Sequence, residues 1–366
     1  MLLLYSLRCF GRMWERGDGD MEKERDYRMD NIRFILIFLT VFGHMITLMP
    51  DVSLLYRTIY SFHMPAFLFV TGYFARFDRK RILTKFVYPY FVFQLLYLGF
   101  NSWVLDPGSE LRIQFVYPFW HLWFLQVITC FYLLIPLFDT DKTWKQLIFF
   151  GISVGMALIV PYDVNMDAYL SLMRDFTFLP YFLAGYYLGH NKGMQRFWNR
   201  NVFHGAFIKC IVCVLAAYFV LVIAKDQAIT GDILFGSASY PRGNYGPEIK
   251  WKTLIIAMGW ICILLVMIPG RRIPLLSNLG KNTFSVYLLH ACLVLPLRTM
   301  EIYPFSTGVN LLIAAGLSIG IIVLLGNSFV SRWFSILVDG GWIANWINRG
   351  AKRINQYLDS REKIHQ

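Results

Sequence analysis

Charge is what this chain lacks. Only 16% of its 366 residues are Asp, Glu, Lys or Arg, where a soluble globular chain carries about 25%. Nor does it hold a polar run long enough to fold as a second, soluble domain. It shows no internal repeat, which argues against the inverted-repeat transporter designs. The net charge of +12 comes without any nucleic-acid-binding motif, so no nucleic-acid partner is expected. Cysteine is scarce, with six scattered positions. Cys210 and Cys213 form a CxxC, but inside the apolar stretch IKCIVCVL and without a second pair. Ordinary buried thiols fit that context better than a metal or redox site. No metal is expected.

What the chain has instead is apolar length. Hydrophobic residues make up 57% of it and the mean hydropathy is +0.48. Apolar runs of about 18–22 residues, enough to span a bilayer, recur throughout. Ten can be drawn, at about 31–49, 57–75, 83–103, 118–138, 145–161, 176–189, 203–224, 250–269, 281–298 and 308–330. The expected fold is all-α: a polytopic membrane protein built as one bundle of about ten transmembrane helices over residues 26–331. Residues 1–25 read as a disordered extension, with Met21 an alternative start. Residues 332–366 form a basic amphipathic tail, whose Trp333, Trp342 and Trp346 with Arg332, Arg349, Lys352 and Arg353 suit a helix lying on the inner leaflet. Ten crossings put both termini on one side. Most of the 35 Lys and Arg fall on that side, so the positive-inside rule makes it cytoplasmic, in a multi-pass protein of the plasma membrane.

Asp30 to His44, DNIRFILIFLTVFGH, is the stretch that points to chemistry. At about 100° per residue, Asp30, Arg33 and His44 fall within a sector of roughly 60° on one helix face. Arg33 and His44 lie about 16 Å apart along the axis, about half the hydrocarbon core. Polar side chains at such depth need pairing or water and mark functional sites; the bland alternative is a snorkelling Arg plus a hydrogen-bonded core His. The short connection 50–56 makes the first two helices antiparallel neighbours, which sets His44 and His63 at similar depth. His121 near one end of the fourth segment and His290 within the ninth complete a set that can converge on one wet cavity. Pro65, Pro89 and Pro180 predict kinks with freed carbonyls. Thr71-Gly72-Tyr73 permits close helix approach, and Gly151/Gly155 and Gly185/Gly189 have packing spacing. The basic group Arg76, Arg79, Lys80, Arg81 and Lys85 fits either phosphate binding or the topology rule.

These residues together resemble the membrane-bound acyltransferase-3 family, in its compact branch of fucose 4-O-acetylase-like and polysaccharide-modifying enzymes. The first segment resembles that family's D-x-x-R and R-x10-H patterns, here Asp30, Arg33 and His44. HMPAFLFVTGYF (His63 to Phe74), HLWFL (His121 to Leu125) and LGKNTFSVYLLH (Leu279 to His290) resemble its signatures on the second, fourth and ninth helices. The basic loop followed by Tyr88-Pro89-Tyr90 resembles its arginine-rich linker and PY element. The resemblance implies transfer of an acetyl or other short acyl group from cytosolic acetyl-CoA, as donor substrate, to a hydroxyl of a cell-surface or lipid-linked glycan. In that reading His44 is the general base or a transient acyl carrier. Arg33 lies near the thioester end of the donor path, and Asp30 holds it at i,i+3. His63, His121, His290, Thr71 and Tyr73 are acceptor or proton-transfer candidates, and Arg76, Arg79, Lys80 and Arg81 are acyl-CoA-binding candidates. The competing reading is an exporter of polysaccharide or of an acylated intermediate, since buried polar residues also mark transport pathways.

Overall fold

The computed structural model describes residues 27–353, apart from 48, 167–168, 199–204, 275–278, 280–281, 301, 343–344, 347–348 and 351–352. The expected disordered extension, Met21, Lys281 of the ninth-segment signature and residues 354–366 of the tail lie outside the described residues. Among the described residues every regular element is helical, as it must be where lipid offers the backbone no hydrogen-bond partner. The major helices are α1 (Tyr27–Ile46), α2 (Ser53–Tyr60), α3 (His63–Phe74), α4 (Arg79–Leu105), α5 (Trp120–Phe138) and α6 (Thr143–Tyr162). They continue as α7 (Leu172–His190), α8 (Ala206–Lys225), α9 (Pro247–Met267), α10 (Thr283–Arg298) and α11 (Thr307–Gly326). Seven of them are long and apolar enough to cross a membrane, and the chain is an all-α polytopic membrane protein.

Each of the ten expected segments is helical, though three take another form. The second is broken at Ser61-Phe62 into α2 and α3. Pro65 therefore stands in the first turn of α3, where a missing N–H costs nothing, and it opens a helix instead of kinking one. The sixth begins earlier than its apolar run, at Leu172, and takes in Arg174 and Asp175. The ninth is a 16-residue helix.

Pro89 has a different effect. Ahead of it α4 widens into a π-helical turn over Ile82–Val87. In that register the missing Pro89 N–H would have served the Thr84 carbonyl. The Thr84 carbonyl instead accepts from the N–H of Gly340, 3.0 Å away. Beside it Lys85 pairs with Asp339 at 2.7 Å, and Trp342 packs edge-on to Tyr88. The start of the tail is thus docked on α4.

The tightest helix pair is α3 against α7. A Cβ at Gly72 would collide with the carbonyl oxygen of Phe182, at Gly185 with that of Phe69, and at Gly189 with that of Tyr73. Backbone meets backbone here because glycine permits it. The expected packing role of Gly151/Gly155 is not found: both face open space, since α6 turns Gln146, Ser153 and Ala157 inward. Cys210 and Cys213 are exposed on α8, so they are surface thiols and not buried ones. Both α6 and α8 present wide apolar faces, among them Trp144, Leu147, Ile152, Phe207 and Val214, as suits contact with lipid. The polarity gradient runs inward from them to α1, which packs against α3, α10 and α11.

Candidate active site

Four histidines converge. The ring of His44, in the last turn of α1, stacks on His290 of α10 with centroids 5.5 Å apart and planes 10° from parallel. His121 meets His290 edge-on at 4.9 Å. Tyr60 connects the fourth: its ring lies 4.7 Å from His63, and its hydroxyl hydrogen-bonds His44 Nδ1 at 2.9 Å. His63 Nδ1 donates to the Ile59 carbonyl and His290 Nδ1 to that of Tyr287, at 3.0 and 2.7 Å. Those bonds fix both tautomers and leave each Nε2 as an acceptor. The ring nitrogens of His121 have no hydrogen bond of ordinary geometry among the described residues. Of the four, His63, His121 and His290 are fully buried, while His44 keeps partial exposure. Its neighbour Trp120, 4.4 Å away, has a left-handed backbone with φ 37°, a strain of about 1 kcal/mol or more that clusters at working sites.

The turn that delivers Trp120 and His121 is held by buried amides. Gln94, in mid-α4, donates to the carbonyls of Gln114 and Tyr117 and accepts from the N–H of Phe119. Tyr90 donates to the Phe115 carbonyl at 2.6 Å, and Gln126 donates to Tyr90 Oη and to the same carbonyl. The end of the polar stretch after α4, Gln114 to Phe119, is therefore held by side chains of α4 and α5.

A cavity of about 160 Å³ opens on this cluster, lined by His44, His63, His121, Tyr60, Trp120 and Arg174 among others. Leu234 and Phe235 roof part of it. They belong to the connection between α8 and α9, which forms short helices at Gly231–Leu234 and Tyr240–Gly243. Arg57 anchors that connection by donating to the carbonyls of Asp226 and Ile229, and Lys252 pairs with the Asp226 carboxylate at 2.6 Å.

A second and larger cavity, about 660 Å³, lies on the Arg33 side. Arg33, Lys80, Arg81 and Lys85 supply its cations, Asp78 its acid, and Phe67, Phe74, Phe124 and Tyr132 its apolar walls. Arg33 is paired with buried Asp30 at 3.4 Å and stacks over Phe74, 4.3 Å from the ring centre. Thr40, Met64 and Tyr287 line both cavities. They form a common wall, pinned by hydrogen bonds from Thr40 to the Leu36 carbonyl and from Tyr287 to the His121 carbonyl. One helical stripe on α1 therefore runs Arg33, Thr40, His44 from the large cavity, through the wall, to the small one.

The placements divide the expected site residues. His44, His63 and His121 line the small cavity, with His290 packed directly behind. Thr71 lines the large cavity instead, two turns along α3 from His63. Tyr73 does not join either: it lines a small separate pocket with Arg28 and Trp198, because positions i and i+2 face opposite sides of a helix. Lys80 and Arg81 reach the large cavity, whereas Arg76 and Arg79 do not line it; Arg79 lies 5.7 Å from the Phe77 ring. Tyr60, Thr40, Met64, Trp120 and Tyr287 went unremarked in the sequence, being residue types that apolar helices carry routinely, and Arg174 because it precedes the apolar run of its segment. Among the described residues no group of three His, Cys, Asp or Glu is disposed to hold a metal ion.

A family model described as an acyltransferase domain matches residues 26–353. The protein belongs to the acyltransferase-3 family and is a membrane acyltransferase. No curated protein and no solved structure matches the chain.

Proposed function

We propose that the protein moves an acetyl or other short acyl group from cytosolic acyl-CoA to a hydroxyl of a cell-surface or lipid-linked glycan across the plasma membrane. The observation that carries this reading is the pair of cavities meeting at Thr40, Met64 and Tyr287. The large one has the size of a ligand pocket and offers Lys80, Arg81, Lys85 and Arg33 to the phosphates and thioester of the donor. The small one offers His44 to the acceptor. Both termini lie on the cytoplasmic side in this reading, which the concentration of Lys and Arg there supports.

The chemistry is an acyl exchange between sulfur and oxygen. The acceptor hydroxyl attacks the thioester carbonyl carbon as His44 takes its proton, a C–O bond forms, and the C–S bond breaks to release CoA thiolate, which is then protonated. For this His44 needs a free Nε2, which it has when Nδ1–H donates to Tyr60 Oη. Asp30 and Arg33 are positioning and donor-binding groups.

The test uses protein purified in detergent, labelled acetyl-CoA and glycan from the producing cell. Transfer of label to glycan is the expected outcome and needs no sealed compartment. Intact acetyl-CoA and unlabelled glycan after prolonged incubation would overturn the proposal.

A further inference from the structure

Arg174 stands in the first turn of α7 and lines the histidine cavity. Its Nε donates to the Phe235 carbonyl at 3.1 Å, and its guanidinium carbon lies 4.8 Å from the centre of the Trp123 ring. One edge and one face of the group are thereby fixed. Nη1 and Nη2 have no hydrogen bond or ion pair among the described residues. No Asp or Glu lines the cavity. The adjacent Asp175 points elsewhere, to Cys130, as successive helix residues must. An arginine within a membrane bundle costs stability unless something answers its charge. Here the protein holds the guanidinium in place and leaves its outer fork unanswered. A planar fork with two parallel N–H donors is the shape that binds a carboxylate or phosphate in two places at once.

We propose that the acceptor carries an anionic group, a carboxylate or a phosphate, beside the hydroxyl that is acylated, and that Arg174 binds it. This rests on the acyl-transfer reading above. Arg174 is then a specificity-determining residue, and neutral sugars lacking the anion are poor acceptors.

The experiment labels glycan in membranes containing the protein, using [14C]acetyl-CoA, and depolymerises it mildly to mono- and disaccharides. These are separated on an anion exchanger. Label is expected in the retained fraction. Loss of retention after amidation of carboxylates identifies a carboxylate, and loss after phosphatase treatment identifies a phosphate. Arg174→Gln should raise the KM for the retained acceptor about 10- to 100-fold with the KM for acetyl-CoA unchanged, and Arg174→Lys should recover part of the loss. Label in the neutral fraction alone, or an unchanged acceptor KM in Arg174→Gln, overturns this inference and leaves acyl transfer to a glycan standing. No labelled glycan in any fraction overturns both. If Arg174→Gln fails to bind acetyl-CoA, the partition of the label made by the unaltered protein decides alone.

Discussion

His44 differs from the histidines packed round it in keeping partial exposure, and in having its Nδ1 engaged by Tyr60. His44→Ala, at unchanged membrane abundance, is expected to abolish O-acylation of the glycan while acyl-CoA still binds. Near-normal acylation, read by mass spectrometry of surface glycans, would remove His44 from the mechanism. Tyr60→Phe removes the partner of Nδ1 and keeps the ring. A neutral hydrogen bond is worth about 0.5–1.5 kcal/mol, so kcat should fall about 2- to 10-fold with the KM for acyl-CoA unchanged; steady-state kinetics measures both. The four histidines were legible in the sequence because an imidazole in an apolar run stands out. Tyr60 and Trp120 were not, because aromatic residues fill membrane helices everywhere, and only tertiary packing sets these two against His44. Arg174 was hidden for another reason. It precedes the apolar run that marked the sixth segment, and the helix reaches back to include it.

At the scale of helices, the sequence showed where apolar runs lie and which glycines have packing spacing, but not which glycines meet a neighbour. Gly185 and Gly151 have identical spacing credentials, yet only Gly185 touches another backbone. Gly185→Ala is expected to lower stability by about 1–3 kcal/mol through overpacking against Phe69, seen as a lower melting temperature in detergent. Gly151→Ala should raise stability slightly, by about 0.5–1 kcal/mol of helix propensity. The connection from α8 to α9 lies between two apolar runs, and its Gly and Ser residues carry no helical period. Its order comes from Arg57 and from the Lys252–Asp226 pair. The hydrogen bond from Lys252 holds the Asp226 carboxyl below the usual carboxylate range. A depressed carboxyl contributes stability above its unfolded pKa, about 3.9, and loses it as pH falls through the lower folded value. The pair is partly exposed, so its contribution is under about 1 kcal/mol. Asp226→Asn should lower the melting temperature slightly at pH 7, and the difference from the unaltered protein should vanish in strong acid. No difference at pH 7 would assign the order of this connection to Arg57 alone.

Across the whole molecule, the proposed reaction divides labour between the two cavities along α1. Arg33→Ala is expected to raise the KM for acyl-CoA about 10-fold or more, as loss of a charge-assisted contact does, and to leave the KM for the glycan alone. A change confined to the acceptor would reverse the assignment of the cavities. The polar stripe that joins them was visible in the sequence at its two ends, Arg33 and His44. Its midpoint was not, since Thr40 is an unremarkable residue on an apolar helix until Met64 and Tyr287 are seen to close around it.

That closure has an electrical meaning. A bilayer holding a potential does work of about 2.3 kcal/mol on each elementary charge that crosses 100 mV, and an aqueous bore through the bundle would short that potential at every turnover. Thr40, Met64 and Tyr287 narrow the junction between the two cavities. In the proposed reaction the acyl group passes outward and the acceptor's proton passes back to the CoA thiolate, so no net charge crosses, while the anionic remainder of the donor stays where it docked. Transfer should therefore run at the same rate in energised and de-energised membranes.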